Sequence, residues 1–431
     1  MRFDSVEQWL QWQMDLHGKA IDLGLDRVLE VASRLGIDAI ADKVITVAGT
    51  NGKGSTVAAY ENWLHRAGFE VASYTSPHLL SYNERIKHNL LPISDALLCD
   101  AFAAVEQARQ ATTLTYFEYG TLAALYLFQQ WHPDYVILEV GLGGRLDAVN
   151  IIDADLVHLT PISLDHQAWL GDNREQIGFE KAGVLRDGIA VVLNDPDPPQ
   201  SVLAEIDRRH CDCLRLGRDY HISAAGDSLV WRGEGLELQL DNVLPGAHQV
   251  LNLAGVVAGL SRLLPLSRYE SAQLREFFHG THLAGRFQAL ASPLPCRLFV
   301  DVGHNPDAAR VLAASLTTLR RPQGRIVVLL GMLEDKQPEL FVAELKPVVD
   351  LWWLVTLDRD RGLSASSLEQ RTAQVIEPDR LFEGMAAALD HALSSLDNQD
   401  IMLVTGSFIT VELLLRALPD SGELNEYGSK H

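Results

Sequence analysis

The chain has 431 residues, 47% of them hydrophobic and 22% charged, and its 57 acidic against 36 basic side chains give a net charge of −21. That length exceeds one ordinary domain and supports two, each with enough apolar surface for a core of its own. The acidic balance without a basic patch excludes nucleic acid as a favoured partner, and Cys99, Cys211, Cys213 and Cys296 form neither a disulfide framework nor a C-x-x-C pair, which fits a reducing compartment.

The start, "MRFDSVEQWLQW", lacks a basic end followed by an apolar core, and no apolar run nears the ~18 residues that span a bilayer, so a soluble, cytoplasmic protein is expected. Ser5 with Gln8 three residues on predicts a capping box for a helix over "SVEQWLQWQMDL". A second helical pattern, "LDRVLEVASRLG", precedes "KVITVAGTNGKGSTVAAYENWLHRAG", which reads as strand, glycine loop and helix. The loop departs from the G-x-x-x-x-G-K-[ST] pattern, because Val47 stands where Gly is needed and Gly54 where a hydroxyl is needed. Gly49, Gly52 and Gly54 still permit a turn whose amides face phosphate, Lys53 adds a charge, and Ser55 or Thr56 can place a hydroxyl on magnesium. The bland alternative is a glycine-rich strand-to-helix turn with no ligand.

Further strands, "EVASYTS", "DYVILEVG", "LVHLTPI" and "IAVVLN", alternate with helices such as "YFEYGTLAALYLFQQW". Their near-continuous apolar runs suit parallel strands covered on both faces, so an α/β, doubly wound first domain is expected. "VILEVGLGGRLDAVN" carries Glu139, which is a magnesium ligand or a surface carboxylate. "LTPISLDHQAWLG" runs out into Asp165 and His166, a ligand or a structural histidine, and Lys181 in "GFEKAGVLR" reads locally as a solvated surface lysine. Between Asp195 and Asn242, "DPDPP" marks a break and "DSLVWRGEGLELQLDN" alternates with period two, predicting a small antiparallel appendage. After the helix "HQVLNLAGVVAGLSRLL" the α/β rhythm restarts with "CRLFVDVGHNPDAARVLAASL", "RIVVLLGM", "LWWLVTLD" and "DIMLVTGSFITVELLLRAL". Residues 1–283 are thus expected to form a P-loop-type domain with the appendage, and 284–431 a smaller Rossmann-like α/β domain whose last stretch, "PDSGELNEYGSKH", frays.

Together "GTNGKGS", "SPHL", "NERI", "TYFEYGTL", "LEVGLGGRLDA", "LDH", "EKAG", "GRFQ" and "DVGHNP" resemble, in order and approximate spacing, the Mur ligase superfamily of ATP-dependent amide-forming ligases. Within it the chain is most similar to the dihydrofolate synthase/folylpolyglutamate synthase family, from "IDLGLDRV" at 21 to "VTGSFITV" at 404. The resemblance implies a ligase that adds L-glutamate to dihydropteroate, and to reduced folates such as tetrahydrofolate, through an acyl phosphate. It places Thr50, Asn51, Gly52, Lys53, Gly54 and Ser55 around the ATP phosphates, with Asn252, Arg286 and Asp301 as further ATP contacts and ATP lying between the domains. Ser76, Glu139 and His166 would surround Mg²⁺, with two ions expected, and Lys181 would be carboxylated by CO₂, which turns a repelling cation into an anionic ligand. The implied catalytic residues are Lys53, Lys181 and His304, the last as base or positioning group for the glutamate amine, and His304 and Ser407 lie near glutamate. Pteroate would contact Leu23, Gly24, Leu25, Asp26, Thr115, Tyr116, Phe117, Glu118, Leu146, Asp147 and Ala148.

Three segments depart from the family pattern. "GSFITV" has Ile409 where relatives commonly carry His, and "GMLEDKQ" and "TLDRDRG" vary loops of the second domain, which leaves the glutamate pocket open. The alternatives are a folylpolyglutamate synthase alone, or a peptidoglycan-precursor ligase, which would carry an added N-terminal domain although the glycine loop here begins about 45 residues in. A nucleotide-driven switch ATPase, from another class, gives no reason for Lys181 or "DVGHNP". A monomer is the family expectation.

Overall fold

The computed structural model describes residues 2–225, 228–241, 246–276, 278–281 and 284–418. They fall into two compact units, Met1–Val243 with Val250–Thr281, and Leu244–Gln249 with His282–His431. The expected frayed stretch "PDSGELNEYGSKH" lies outside the described residues. No described helix is long and apolar enough to cross a membrane.

The first unit is built on a sheet of β1 (Lys43–Ala48), β2 (Val71–Tyr74), β3 (Ile86–His88), β4 (Leu91–Pro92), β5 (Tyr135–Glu139), β6 (Leu156–Leu159), β7 (Ala190–Leu193) and β8 (Asp212–Arg215). Their order is β4-β3-β2-β5-β1-β6-β7-β8. All pairs from β2 to β8 are parallel. The strands β2 and β5 are buried along their whole length, as strands sandwiched between helices must be. Two antiparallel strands, β3 and β4, close one edge. At three and two residues they are too short to leave a periodic signal in the sequence.

The helix Tyr116–Trp131 starts where its chemistry requires: Thr115 Oγ1 accepts from Glu118 N (3.2 Å) while Glu118 Oε2 accepts from Thr115 N (2.7 Å). The box expected at Ser5 forms by half. Ser5 Oγ accepts from Gln8 N at 3.4 Å, but Gln8 Oε1 reaches past Ser5 to Asp4 N at 3.1 Å. The break at "DPDPP" does not end the α/β pattern either, since the amphipathic helix Gln200–Arg208, burying Val202 and Ile206, leads into β8 at the sheet edge. The appendage starts only at Tyr220, as β9 (Tyr220–Ala225), β10 (Ser228–Gly233) and β11 (Leu236–Asp241), in antiparallel order β11-β10-β9. Trp231 anchors it: the ring is fully buried and its Nε1 donates to Ala254 O at 3.0 Å, on the helix Ala247–Leu263.

The second unit holds β12 (Gln288–Leu290), β13 (Arg297–Val300), β14 (Ile326–Leu330), β15 (Leu351–Val355), β16 (Arg380–Phe382) and β17 (Ile401–Thr405), in the order β12-β13-β17-β14-β15-β16. Only β12 runs antiparallel to its neighbour. The last strand in sequence lies between β13 and β14, so the turns after β13 and β17 emerge side by side.

One polar pair lies deep in the first core. His158 on β6 is fully buried, its Nδ1 stands 3.0 Å from Tyr60 Oη, and its Nε2 has no hydrogen-bond partner. Burial pushes its pKa down from 6.5 to about 3. The folded state holds it neutral, so the unfolded chain takes up the proton first, and stability falls as pH drops from 6.5 toward 3. Between pH 7 and 5 this group should remove up to about 2 kcal/mol of unfolding free energy. Denaturant titrations of wild type and His158→Gln at both pH values should show the flatter pH dependence in the variant. Equal slopes would remove His158 as the cause.

Candidate active site

Four strand ends meet along one edge of the first sheet. Val47 pairs with Glu139 on one side and His158 on the other, and Tyr74 pairs with Leu138, so the turns leaving β2, β5, β1 and β6 are neighbours. This is the carboxyl edge of a parallel sheet, where open α/β folds collect their ligands.

The glycine loop leaves β1 here. Gly52 has φ +89°, a region open mainly to glycine, and a Cβ at this position would stand 2.6 Å from Asn252 Oδ1, which packs Asn252 directly over the loop. The amides of Thr50 and Asn51 both donate to Pro161 O (2.9 and 3.3 Å), and Thr50 Oγ1 donates to Ser163 O at 3.2 Å. The implied wrap of Thr50–Ser55 around phosphate is therefore divided. Thr50 and Asn51 fasten the loop to the turn after β6, and the amides available to an anion begin at Gly52. They open the helix Lys53–Arg66, whose N-terminus has no side-chain cap. Ser55 is buried, and Thr56 Oγ1 is buried without a hydrogen-bond partner.

Two lysines converge on one carbonyl. Lys53 Nζ lies 3.2 Å from Gly49 O and 3.2 Å from Thr50 O, and Lys181 Nζ donates to the same Gly49 O at 2.7 Å. Lys181 is 5% exposed, so the reading of a solvated surface lysine fails. Its helix, Arg174–Ala182, comes close enough to Gly144 that a Cβ there would lie 2.8 Å from Lys181 O. Burial first, then the charge of Lys53, lowers the Lys181 pKa from 10.5 to about 7, opposed by Asp165 and Asp147.

Of the three residues expected around a metal, two are brought together: Ser76 N donates to Glu139 Oε2 at 3.1 Å, and the Glu139 carboxylate is buried. Their oxygens suit a hard cation such as Mg²⁺. His166 occupies a left-handed turn (φ +51°) at the head of the helix Gln167–Leu170, with Nε2 3.8 Å from Asp165 Oδ2. No three His, Cys, Asp or Glu residues cluster as a metal cage among the described residues.

The three stretches expected to contact pteroate also meet. Arg27 donates to Asp22 Oδ2 (2.7 Å), to Asp22 O (2.8 Å) and to Glu118 Oε1 (2.9 Å), which binds the loop Leu23–Asp26 to the helix start Thr115–Glu118. A Cβ on Gly141 would lie 2.6 Å from the Phe117 ring, so the "VGLGG" turn packs on that same helix start. Asp147 beside Leu146 and Ala148 accepts from Leu142 N (2.8 Å) and Val149 N (3.1 Å), and burial pushes its pKa up from 3.8 to about 6. Asp26 itself is exposed. Sequence reasoning missed Asp22 and Arg27; opposite charges five residues apart across "DLGLDR" were the available sign.

In the second unit the expected residues sit at the ends of β13 and β17. Asp301 is buried, accepts from Phe287 N (2.8 Å) and Gly303 N (2.6 Å), and burial raises its pKa against the charge of Arg286. The Arg286 guanidinium stands 5.1 Å from the Phe408 ring centre. His304 Nδ1 is 2.9 Å from Val302 O, so a neutral ring donates there. Ser407 Oγ caps the helix Phe408–Ala417 by accepting from Thr410 N (3.0 Å) and lies 2.7 Å from Thr410 Oγ1.

Residues 47–260 match the Mur ligase middle domain and residues 285–408 the Mur ligase glutamate ligase domain. The chain is 40% identical over 414 residues to the dihydrofolate synthase/folylpolyglutamate synthase of Escherichia coli (strain K12), covering 96% of this chain and 95% of that one. It is similar to the solved Escherichia coli enzyme in complex with DHPP and ADP (TM-score 0.88, 38% identity, 96% and 97% coverage). It also resembles a bifunctional folylpolyglutamate synthase/dihydrofolate synthase with Mn, AMPPNP and L-glutamate bound (TM-score 0.87, 38% identity, 96% and 98% coverage).

The Arg27–Glu118 pair should be measurable, because Glu118 is buried while Arg27 is partly solvated. Arg27→Ala should lower unfolding stability by about 2 kcal/mol, less than a fully buried pair would lose. A double-mutant cycle with Glu118→Gln in urea should show coupling, whereas additive losses would mean that the contact ties nothing.

Proposed function

The chain belongs to the dihydrofolate synthase/folylpolyglutamate synthase family of the Mur ligases, and from that premise we infer that it is an ATP-dependent ligase joining L-glutamate to dihydropteroate and to tetrahydrofolate. The observation that carries this reading is the cationic pair Lys53 and Lys181 on Gly49 O, at the strand edge that also holds Ser76 and Glu139. ADP with DHPP in one solved relative, and AMPPNP with L-glutamate in another, support it. ATP and the pterin are assigned to residues 1–283, and glutamate with part of the ATP contacts to 284–431.

A carboxylate does not condense with an amine at neutral pH. Transfer of the γ-phosphoryl group of ATP to the substrate carboxylate gives an acyl phosphate and ADP; the glutamate amine then attacks the acyl carbon, the amide forms, and phosphate leaves. Catalysis of the first step is positioning and charge compensation. Lys53 and the amides from Gly52 onward oppose the phosphate charge, with Asn252, Arg286 and Asp301 as further ATP contacts. Ser76, Glu139 and His166 would hold Mg²⁺, which when bound supplies further positive charge to the phosphates.

A Lys181 pKa of about 7 leaves much of this amine neutral at pH 7, and a neutral amine adds CO₂ to give a carbamate and a proton. Carboxylation replaces the repulsion between Lys181 and Lys53 with attraction. The glutamate amine must also lose a proton, and His304, held by Val302 O, is assigned there as base or positioning group.

Phosphate release should require ATP, Mg²⁺, L-glutamate and a pterin substrate together, with dihydropteroate and tetrahydrofolate each sufficing in turn. Activity with tetrahydrofolate alone would reduce the enzyme to a folylpolyglutamate synthase, and indifference to glutamate would leave only an ATPase. Lys181→Ala should lose about 10² or more of the rate, as loss of one electrostatic group in a catalytic site does. Short carboxylic acids should restore part of it, and an unimpaired variant would end the carbamate assignment.

A further inference from the structure

A buried arginine of the first unit has no counter-ion among the described residues. Arg85, in "NERI", is 8% exposed, and no carboxylate pairs with it among the described residues. Its neighbour cannot serve, because the Glu84 carboxylate accepts the amides of Leu79 (2.7 Å), Leu80 (2.8 Å) and Ser81 (2.8 Å). Instead the guanidinium lies 4.9 Å from the Tyr82 ring centre and 5.5 Å from that of Tyr116, and its Nε donates to His78 Nδ1 at 2.9 Å. Aromatic faces offset part of the cost of burying a cation, but buried arginines are ordinarily held by acids.

The position is as telling as the lack of a partner. Arg85 O accepts from Thr75 N at 2.8 Å, which fixes the residue beside Ser76 and hence beside Glu139. Tyr116 belongs to the stretch assigned to the pterin substrate, and Tyr74, whose ionisation feels both Arg85 and Asp147, links the guanidinium to the "LDA" stretch. A second buried polar group waits here. Tyr82 Oη is buried without a hydrogen-bond partner, held over Gly120, where any Cβ would collide with it.

We propose that Arg85 receives the carboxylate of the pterin substrate, with the Tyr82 hydroxyl as an accessory donor. The choice of anion follows by elimination. Lys53 and the loop amides answer the ATP phosphates, and a pterin ring is neutral, which leaves the carboxylate as the remaining anion assigned to this unit. A bidentate guanidinium is the group best matched to a planar carboxylate, and it would hold that group beside Ser76 and Glu139 while its charge is masked for phosphorylation. The proposal rests on the ligase reading above.

The test pairs the two partners. Binding of dihydropteroate and of its decarboxylated aniline analogue would be measured calorimetrically, in the presence of a non-hydrolysable ATP analogue, on wild type, Arg85→Lys and Arg85→Gln. Wild type should prefer the acid by about 30-fold or more, as for a buried charge pair. Arg85→Gln should lose that preference with ATP-analogue affinity unchanged, and Arg85→Lys should keep part of it. A preference undiminished in Arg85→Gln overturns the proposal, whereas a wild type that binds neither pterin overturns the ligase reading. If thermal melts show both variants unfolded, a crystal structure of the wild-type complex decides: a carboxylate on the Arg85 guanidinium supports the assignment, and one held elsewhere refutes it.

Discussion

The first unit depends on a local concentration of positive charge inside a protein whose net charge is −21. Lys53 and Lys181 share the Gly49 carbonyl, and among the described residues no acid forms an ion pair with either. Like charges so close are unfavourable, and the depressed pKa of Lys181 reflects burial first and the charge of Lys53 second. A fold keeps such an arrangement only where surrounding structure over-determines it, and where a bound anion relieves it. ATP and carboxylic acids are both anions, so a cationic edge in a chain of net charge −21 favours those ligands there.

That over-determination can be traced. The loop is fastened by two amides to Pro161 O and by the Thr50 hydroxyl to Ser163, the helix bearing Lys181 is pressed on Gly144, and three amides on Glu84 shape the turn that brings Arg85 inward. Each device uses neutral dipoles or packing rather than counter-ions. Placing acids against these lysines would stabilise the empty protein but would leave the phosphates and carboxylates less charge to bind. The acids that are present are held by other groups: Asp147 takes two backbone amides, and Glu139 takes the Ser76 amide.

Much of this was legible in the sequence, for reasons that separate local from non-local information. The glycine loop, the strand end at Glu139 and the Thr115–Glu118 helix start are each encoded within a few neighbouring residues. The errors arose where a distant partner decides. Lys181 read locally as a surface residue, and only the resemblance gave it a role; the contact of its Nζ with Gly49 O, 132 residues away, shows that it faces inward. "DPDPP" looked like the end of the α/β pattern because proline breaks elements without saying whether the sheet resumes, as it does in β8. Gln8 passed over Ser5 for Asp4, a choice between two adjacent amides that no spacing rule resolves. Arg27 and Arg85 escaped notice because their meaning lies in a partner 91 residues away for one and in a missing partner for the other.

The two titrating groups of this site make its electrostatics depend on pH in a definite way. Asp147 ionises near 6 and Lys181 near 7, both displaced toward neutrality by burial. Below both values the pocket holds a neutral acid and a cationic amine, and Lys53 and Lys181 repel each other fully. Above both, Asp147 supplies a negative charge and Lys181 is a neutral amine. The same burial that makes each group costly to ionise therefore sets the charge of the phosphate edge near physiological pH, where a small change in either environment alters what the site can bind.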